Sequence, residues 1–185
     1  ARAVHVHEGT AYVASEEGCL CILDVSTTAD PEVVATVGDI EHVRDVLVVG
    51  DRAYVADGEW LLHILDVSDP SKPVTLGWHD TPDRPEAVRV VGDIAYVACS
   101  QAGLVAYDVS DPATTRQLLI ADTPGVARDV MVRGTTAYIA DGSRVLATYA
   151  LYPPCPGADS ACGGGRCDAA LGCVASTGDT LVCDD

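Results

Sequence analysis

AYVADGEWLLHILDVSDP, residues Ala53–Pro70, decides the fold. Its opening phrase, Ala53-Tyr54-Val55-Ala56, also stands at Ala11–Ala14 and Ala95–Ala98, and with one change as Ala137-Tyr138-Ile139-Ala140. The starting positions 11, 53, 95 and 137 differ by 42 each time. The closing phrase keeps the same step, as Asp24-Val25-Ser26, Asp66-Val67-Ser68 and Asp108-Val109-Ser110. A fixed period of this size marks a repeat architecture.

Each copy carries short apolar runs separated by turn residues. In the second copy the runs are Val46–Val49, Ala53–Ala56, Leu61–Val67 and Val74–His79. Between them lie Gly50-Asp51, Asp57-Gly58 and Ser68-Asp69-Pro70. Runs of about four to eight residues rich in Val, Ile and Tyr, bounded by Gly, Asp and Pro, read as strands. The tight Gly50-Asp51 pair suits a hairpin. Four antiparallel strands in about 40–45 residues is the arithmetic of a propeller blade. Blades stack face to face, which accounts for the weak alternation of Leu61-Leu62 and Ile64-Leu65.

The phrases LLHILDVSDPSKPV (Leu61–Val74), CLCILDVS (Cys19–Ser26) and GLVAYDVSDP (Gly103–Pro112) resemble the LVIVD-repeat family. That resemblance implies a β-propeller of the kind found in secreted or surface proteins of bacteria and archaea. It implies a scaffold rather than an activity, because propellers carry binding modules and enzymes alike. The expected fold is therefore all-β, with about four blades of four strands over residues 1–152. The copies run over about 2–39, 40–81, 82–123 and 124–152, the last with three strands before Pro153-Pro154. Two arrangements are open: a small closed ring, or a segment of a larger one. The abrupt start at Ala1 and the larger rings usual in the family favour the segment.

Residues 153–185 are a different material, rich in Gly, Ala, Asp and Cys and without a strand pattern. Cys155, Cys162, Cys167, Cys173 and Cys183 are candidate disulfide residues, since so small a segment buries too little to fold unaided. Zinc is the rival, but the segment has no C-x-x-C pair and no His. The stretch Gly163–Val174 followed by Cys183-Asp184-Asp185 resembles Cys-rich repeats of secreted myxobacterial and slime-mould proteins. Both resemblances imply an extracellular or cell-surface location.

The net charge of −17, from 11 Lys and Arg against 28 Asp and Glu, argues against nucleic-acid or anionic-membrane partners. No run is long and apolar enough for a membrane-spanning helix. No nucleophile elbow, phosphate loop or zinc-protease motif is present.

Propeller ligands usually sit where the loop into each inner strand meets the central channel. At steps of 42 that loop offers Arg2, Arg44, Glu86 and Arg128, then Ala3, Asp45, Ala87 and Asp129, preceded by His42 and Arg84. Arg44, Asp45, Arg84, Arg128 and Asp129 are candidate ligand-binding residues, with guanidinium forks suited to an anionic group. The structural alternative is that these charges pair with one another and tie blades together. Trp60 shares its column with Gly18, Ala102 and Arg144, so it is a singular aromatic suited to a sugar or protein contact, or a cap on its own blade. His5 and His7 share one side of a strand, and packing there is favoured over a metal in the absence of a third ligand. Cys19, Cys21 and Cys99 read as free thiols. The repeated Asp of Asp-Val-Ser reads as a turn cap.

The function expected from the residues is a non-enzymatic extracellular or surface binding module without a cofactor, whose partner is a surface protein or a glycan. An extracellular lyase or hydrolase acting on a polymer, and a purely architectural role, are the alternatives.

Overall fold

A computed structural model describes residues 1–15, 18–27, 30–142, 145–151, 167–168 and 172–173. Every copy becomes a meander. Strands β1 (Ala3–His7), β2 (Thr10–Ser15), β3 (Cys19–Asp24) and β4 (Glu32–Val37) form the first sheet in sequence order. The second is β5 (Val43–Val49), β6 (Arg52–Asp57), β7 (Leu61–Asp66) and β8 (Val74–Asp80). The third is β9 (Ala87–Val91), β10 (Ile94–Cys99), β11 (Gly103–Asp108) and β12 (Arg116–Ala121), with a 3-10 turn at Pro112–Thr114. The fourth holds β13 (Ala127–Arg133), β14 (Thr136–Asp141) and β15 (Val145–Ala150). All pairings are antiparallel, so the expected blades are present.

The repeat extends below the level of strands. The ladder between third and fourth strands slips at Ile22/Leu23, Ile64/Leu65 and Ala106/Tyr107, again one step of 42 apart. After the third strand, Val25, Val67 and Val109 donate their backbone N–H to Gly9, Asp51 and Asp93 in the first hairpin turn. The Asp before each of these valines then closes a turn, accepting from the N–H of Ser26, Ser68 and Ser110 at 2.8, 2.9 and 3.1 Å. The Ser hydroxyl first and the Ser N–H second hold Asp24, Asp66 and Asp108 below the ordinary 3.8.

A carboxyl depressed in the folded state contributes stability that is present above its unfolded pKa. That stability is lost as pH falls through the folded value. These three carboxyls are expected to leave the melting temperature unaffected well above pH 3.8 and to lower it as pH falls through and below that value. Asn at positions 24, 66 and 108 keeps an acceptor but does not titrate. The triple Asp→Asn protein should therefore show a shallower acid limb in a melting series. An identical limb in the two proteins would show that other carboxyls govern acid unfolding.

The inner strands set the order of the blades. β1 packs beside β5, β5 beside β9, and β9 beside β13. Among the described residues no such packing joins β13 back to β1, so the blades form an open arc. Of the two arrangements expected, the closed four-blade ring is not the one found. Burial follows from this. In the two middle blades β6, β7, β10 and β11 are buried on both faces. In the end blades the same phrase is less covered: β14 alternates between buried and exposed, and Val13 of β2 is only half-buried. The apolar side chains divide into three buried clusters, one at each junction between blades.

Within the Cys-rich segment, Cys167–Asp168 (β16) pairs with Gly172–Cys173 (β17). The sequence shows no strand pattern there because two-residue strands are too short to express one. Cys155, Cys162 and Cys183 lie outside the described residues, as do the side chains of Cys167 and Cys173.

Candidate functional site

The segments entering the inner strands and the turns between second and third strands share one end of the blades. Gly58 N–H donates to His42 carbonyl at 3.1 Å, and Gly142 N–H to Val126 carbonyl at 3.0 Å, so the two kinds of loop are stitched together. Arg44 sits in a β-bulge: Val43 opposes Asp57 and Asp45 opposes Ala56, leaving Arg44 the extra residue. Arg128 repeats this between Ala127 and Asp129. A bulge bends its strand and re-aims a side chain. A Cβ on Gly58 would lie 3.1 Å from Arg44 Nε, and one on Gly142 would lie 3.5 Å from Arg128 Nε. Glycine at position 58 therefore leaves space for Arg44, whereas at position 142 a side-chain carbon would only touch Arg128.

The charged residues meet across blades. Glu86 takes Arg84 Nε at 2.9 Å and Arg84 Nη2 at 2.8 Å on one oxygen. Its other oxygen lies 3.5 Å from Arg44 Nη1. Burial lowers the Arg44 pKa, Glu86 opposes the shift, and the nearby Arg2 and Arg84 add to it. Asp45 does not pair with its neighbour Arg44. It accepts from Val88 N–H at 3.1 Å and from Arg89 Nη1 at 2.8 Å, both on the following blade. Arg89 reaches on to Asp129 at 3.4 Å, so one guanidinium links the inner strands of three blades. Arg128 is exposed, and no ion pair to it is found among the described residues. Thus Arg44 and Arg84 share one network through Glu86, Asp45 and Asp129 share another through Arg89, and Arg128 stands outside both.

Sequence reasoning placed Arg44, Arg84, Asp45 and Asp129 but missed what they pair with: Glu86 for the arginines and Arg89 for the aspartates. The signal for Glu86 was available. Its column changes sign once among Arg2, Arg44, Glu86 and Arg128, and a pair between neighbouring blades requires that inversion.

Trp60 stands at the β6–β7 turn with 56% of its surface exposed. Its φ is +71°, a left-handed conformation. Backbone bonds hold it there: its N–H donates to Asp57 carbonyl at 3.1 Å and its carbonyl accepts from Thr81 at 2.8 Å. The first blade has Gly18 at this position, at +85°, whereas in the third and fourth blades the positive φ falls one position later, at Gly103 (+78°) and Val145 (+70°). A bulky residue in this region carries strain of about 1–3 kcal/mol. Beside it, Glu59 pairs with His42 at 3.0 Å, both well exposed. Beneath the turn, Asp57 and His63 form a buried pair at 3.2 Å, and Asp57 also accepts the Glu59 N–H at 3.1 Å.

His5 and His7 stack at 6.4 Å, and no group of three or more His, Cys, Asp or Glu suited to a metal ion is found among the described residues. Burial, then His7 and Arg89, lower the His5 pKa. Cys19 and Cys21 are free thiols with their sulfurs 3.2 Å apart. Cys99 is buried, and desolvation pushes its thiol far above the ordinary value. At the opposite end of the blades a cleft of about 320 Å³ is lined by Glu8, Asp24, Ser26 and Asp69.

The family model described as LVIVD repeat matches residues 1–39, 41–81, 86–123 and 124–147. No curated protein matches the chain. Among solved structures, the fold is similar to the crystal structure of the computationally designed Ika4 protein, at 8% identity and a TM-score of 0.66. The match covers 82% of this chain and 91% of that one. It is also similar to the computationally designed Ika8 protein, at 8% identity and a TM-score of 0.62, over 80% of this chain and 45% of that one.

Proposed function

The chain belongs to the LVIVD-repeat family, and from that premise we propose that it is a non-enzymatic binding module, extracellular or held at the cell surface. Its recognition face is the loop end carrying Trp60, and its partner is a surface protein or a glycan. The observation that carries this reading is an exposed tryptophan kept in a left-handed conformation at a position where the first blade uses Gly18. Strain of this kind persists where a side chain is needed. An aromatic face flanked by the polar Glu59 and His42 suits a sugar ring or an apolar patch with a polar rim. The charged networks support binding over catalysis. Asp45, Asp129 and Glu86 already hold guanidinium groups, which leaves them poor acceptors for a substrate proton.

The odd set of tail cysteines supports the oxidising location.

The test is a glycan array together with capture from native surface extracts, repeated with Trp60→Ala and Trp60→Gly. Both variants should lose binding by about tenfold or more, as for an aromatic anchor. Trp60→Gly should at the same time raise stability by about 1 kcal/mol, because glycine accepts the positive φ. Binding untouched by both changes would remove Trp60 from the recognition face. Retention of no glycan and no surface protein would refute the binding role.

A further inference from the structure

The two ends of the arc present the two halves of a junction that the chain builds three times within itself. At the first junction Tyr12, Ala14, Leu20 and Ile22 share a buried cluster with Val46, Val48 and Leu65 of the next blade. One step of 42 later, Tyr54, Ala56, Leu62 and Ile64 do the same with Val88, Val97 and Tyr107. A further step places Tyr96, Ala98, Leu104 and Ala106 with Val130 and Ile139. The next step gives Tyr138, Ala140, Leu146 and Thr148, and these are exposed. Leu20, Leu62 and Leu104 are each 0% exposed, whereas Leu146 is 55% exposed. At the other end, Val4 and Val6 are 63% and 60% exposed, while Val46 and Val48, one step on, are 3% and 4%.

We propose that these faces close on each other between two copies of the chain. The fourth blade of each copy packs on the first blade of the other, and two arcs of four blades make one ring with a central two-fold axis. This goes beyond the binding role and does not depend on it. Three arguments favour a second copy as the occupant. First, the partner each face lacks is supplied, position for position, by the other face of the same sequence. The two faces do not meet within one chain, because β13 and β1 do not adjoin. Second, the polar contact is also provided. Asp45 accepts from Val88 N–H and Arg89; two steps of 42 put Val4 and His5 at the Val88 and Arg89 positions, and Asp129 repeats Asp45 with a side chain 60% exposed. Third, two arcs of four reach but do not exceed the usual range of about 4–8 blades, and the arc follows the longer designed chain over 45% of that chain's length.

Ring closure is heterologous at each contact but terminates at two copies. It would also complete the channel mouth, bringing His5 and Arg2 of one copy beside Asp129 and Arg128 of the other.

Sedimentation of the 185-residue protein tests this directly. A species of twice 19.2 kDa is expected, dissociating on dilution. Leu146→Asp alone and Val4→Lys alone should each weaken it by about a hundredfold or more, since a charge is buried at both contacts. Their first-junction counterparts, Leu20 and Val46, share one cluster. The double variant sets Asp against Lys across each contact and should restore the dimer. Circular dichroism unchanged in the single variants separates loss of assembly from loss of fold, and the double variant's recovery does so independently. A protein that remains monomeric at its highest soluble concentration overturns the proposal, and assigns the faces to residues 152–185 or to further blades. Head-to-tail species beyond the dimer, or a dimer that both single variants leave intact, overturn it equally.

Discussion

Replacing His63 with alanine is expected to destabilise the protein by about 3–5 kcal/mol, whereas replacing His63 and Asp57 together should cost about 1 kcal/mol or less. The two side chains meet at 3.2 Å with 9% and 3% of their surfaces exposed. Truncating the histidine leaves the Asp57 carboxylate in an apolar layer, where the Glu59 N–H at 3.1 Å is the donor that remains among the described residues. Taking an ion from water without compensation is what makes such losses large. The repeat supplies its own control. At steps of 42 the same two positions in the third blade hold Cys99 and Val105, both 0% exposed. The exchange Asp57→Cys with His63→Val therefore gives the second blade a pair of side chains this fold already packs. Urea unfolding of the two single variants and the double variant yields the coupling energy. Additive losses would mean that the pair is not a unit, and that each residue acts through other contacts.

That pair also shows where legibility ends. Features repeated at the 42-residue step could be read directly, because copies of Ala-Tyr-Val-Ala and Asp-Val-Ser confirm one another. Strand positions, the Asp turns and the blade count all belong to this class. Features that occur once have no copies to check against. Asp57 was visible as a turn residue and His63 as one position in the run Leu61–Val67, yet their meeting depends on a turn held by backbone bonds from Gly58 and Trp60. The Arg44 and Arg128 bulges were hidden for another reason. An extra residue in one strand of a ladder leaves the spacing of 42 intact, because every copy has the same length. The trace of the bulges is indirect: Gly58 and Gly142 occur in the same two blades as Arg44-Asp45 and Arg128-Asp129. The tie from Asp45 to Arg89 crosses to a blade that lacks the Arg-Asp phrase, so no inspection of the phrase itself could reveal it.

Leu62→Ala is expected to cost about 2–5 kcal/mol, and Leu146→Ala less than about 0.5 kcal/mol when the protein is dilute. The two leucines are equivalent by sequence, two steps of 42 apart, and both lie second in their strand's pairing with the preceding strand, opposite Ala56 and Ala140. Only their neighbours differ. Leu62 is 0% exposed in the cluster that holds Val88, Val97 and Tyr107, so its removal loses both the transfer of the side chain and the fit of the surrounding atoms. Leu146 is 55% exposed, and its removal opens no cavity. Repeat proteins approximate a sum of terms within repeats and terms between neighbours. This pair of substitutions holds the first nearly constant and changes the second. The difference between their costs is thus a measure of what one junction contributes through a single side chain. Concentration then separates intrinsic from assembled stability. If two copies close the ring, the cost of Leu146→Ala in thermal melts should rise toward that of Leu62→Ala as the protein is concentrated, since binding of a partner to the folded state adds to its apparent stability. A cost that stays small at every concentration would mean that Leu146 faces water in solution as it does in the single chain. A large cost already present in the dilute monomer would mean that the same chain covers it.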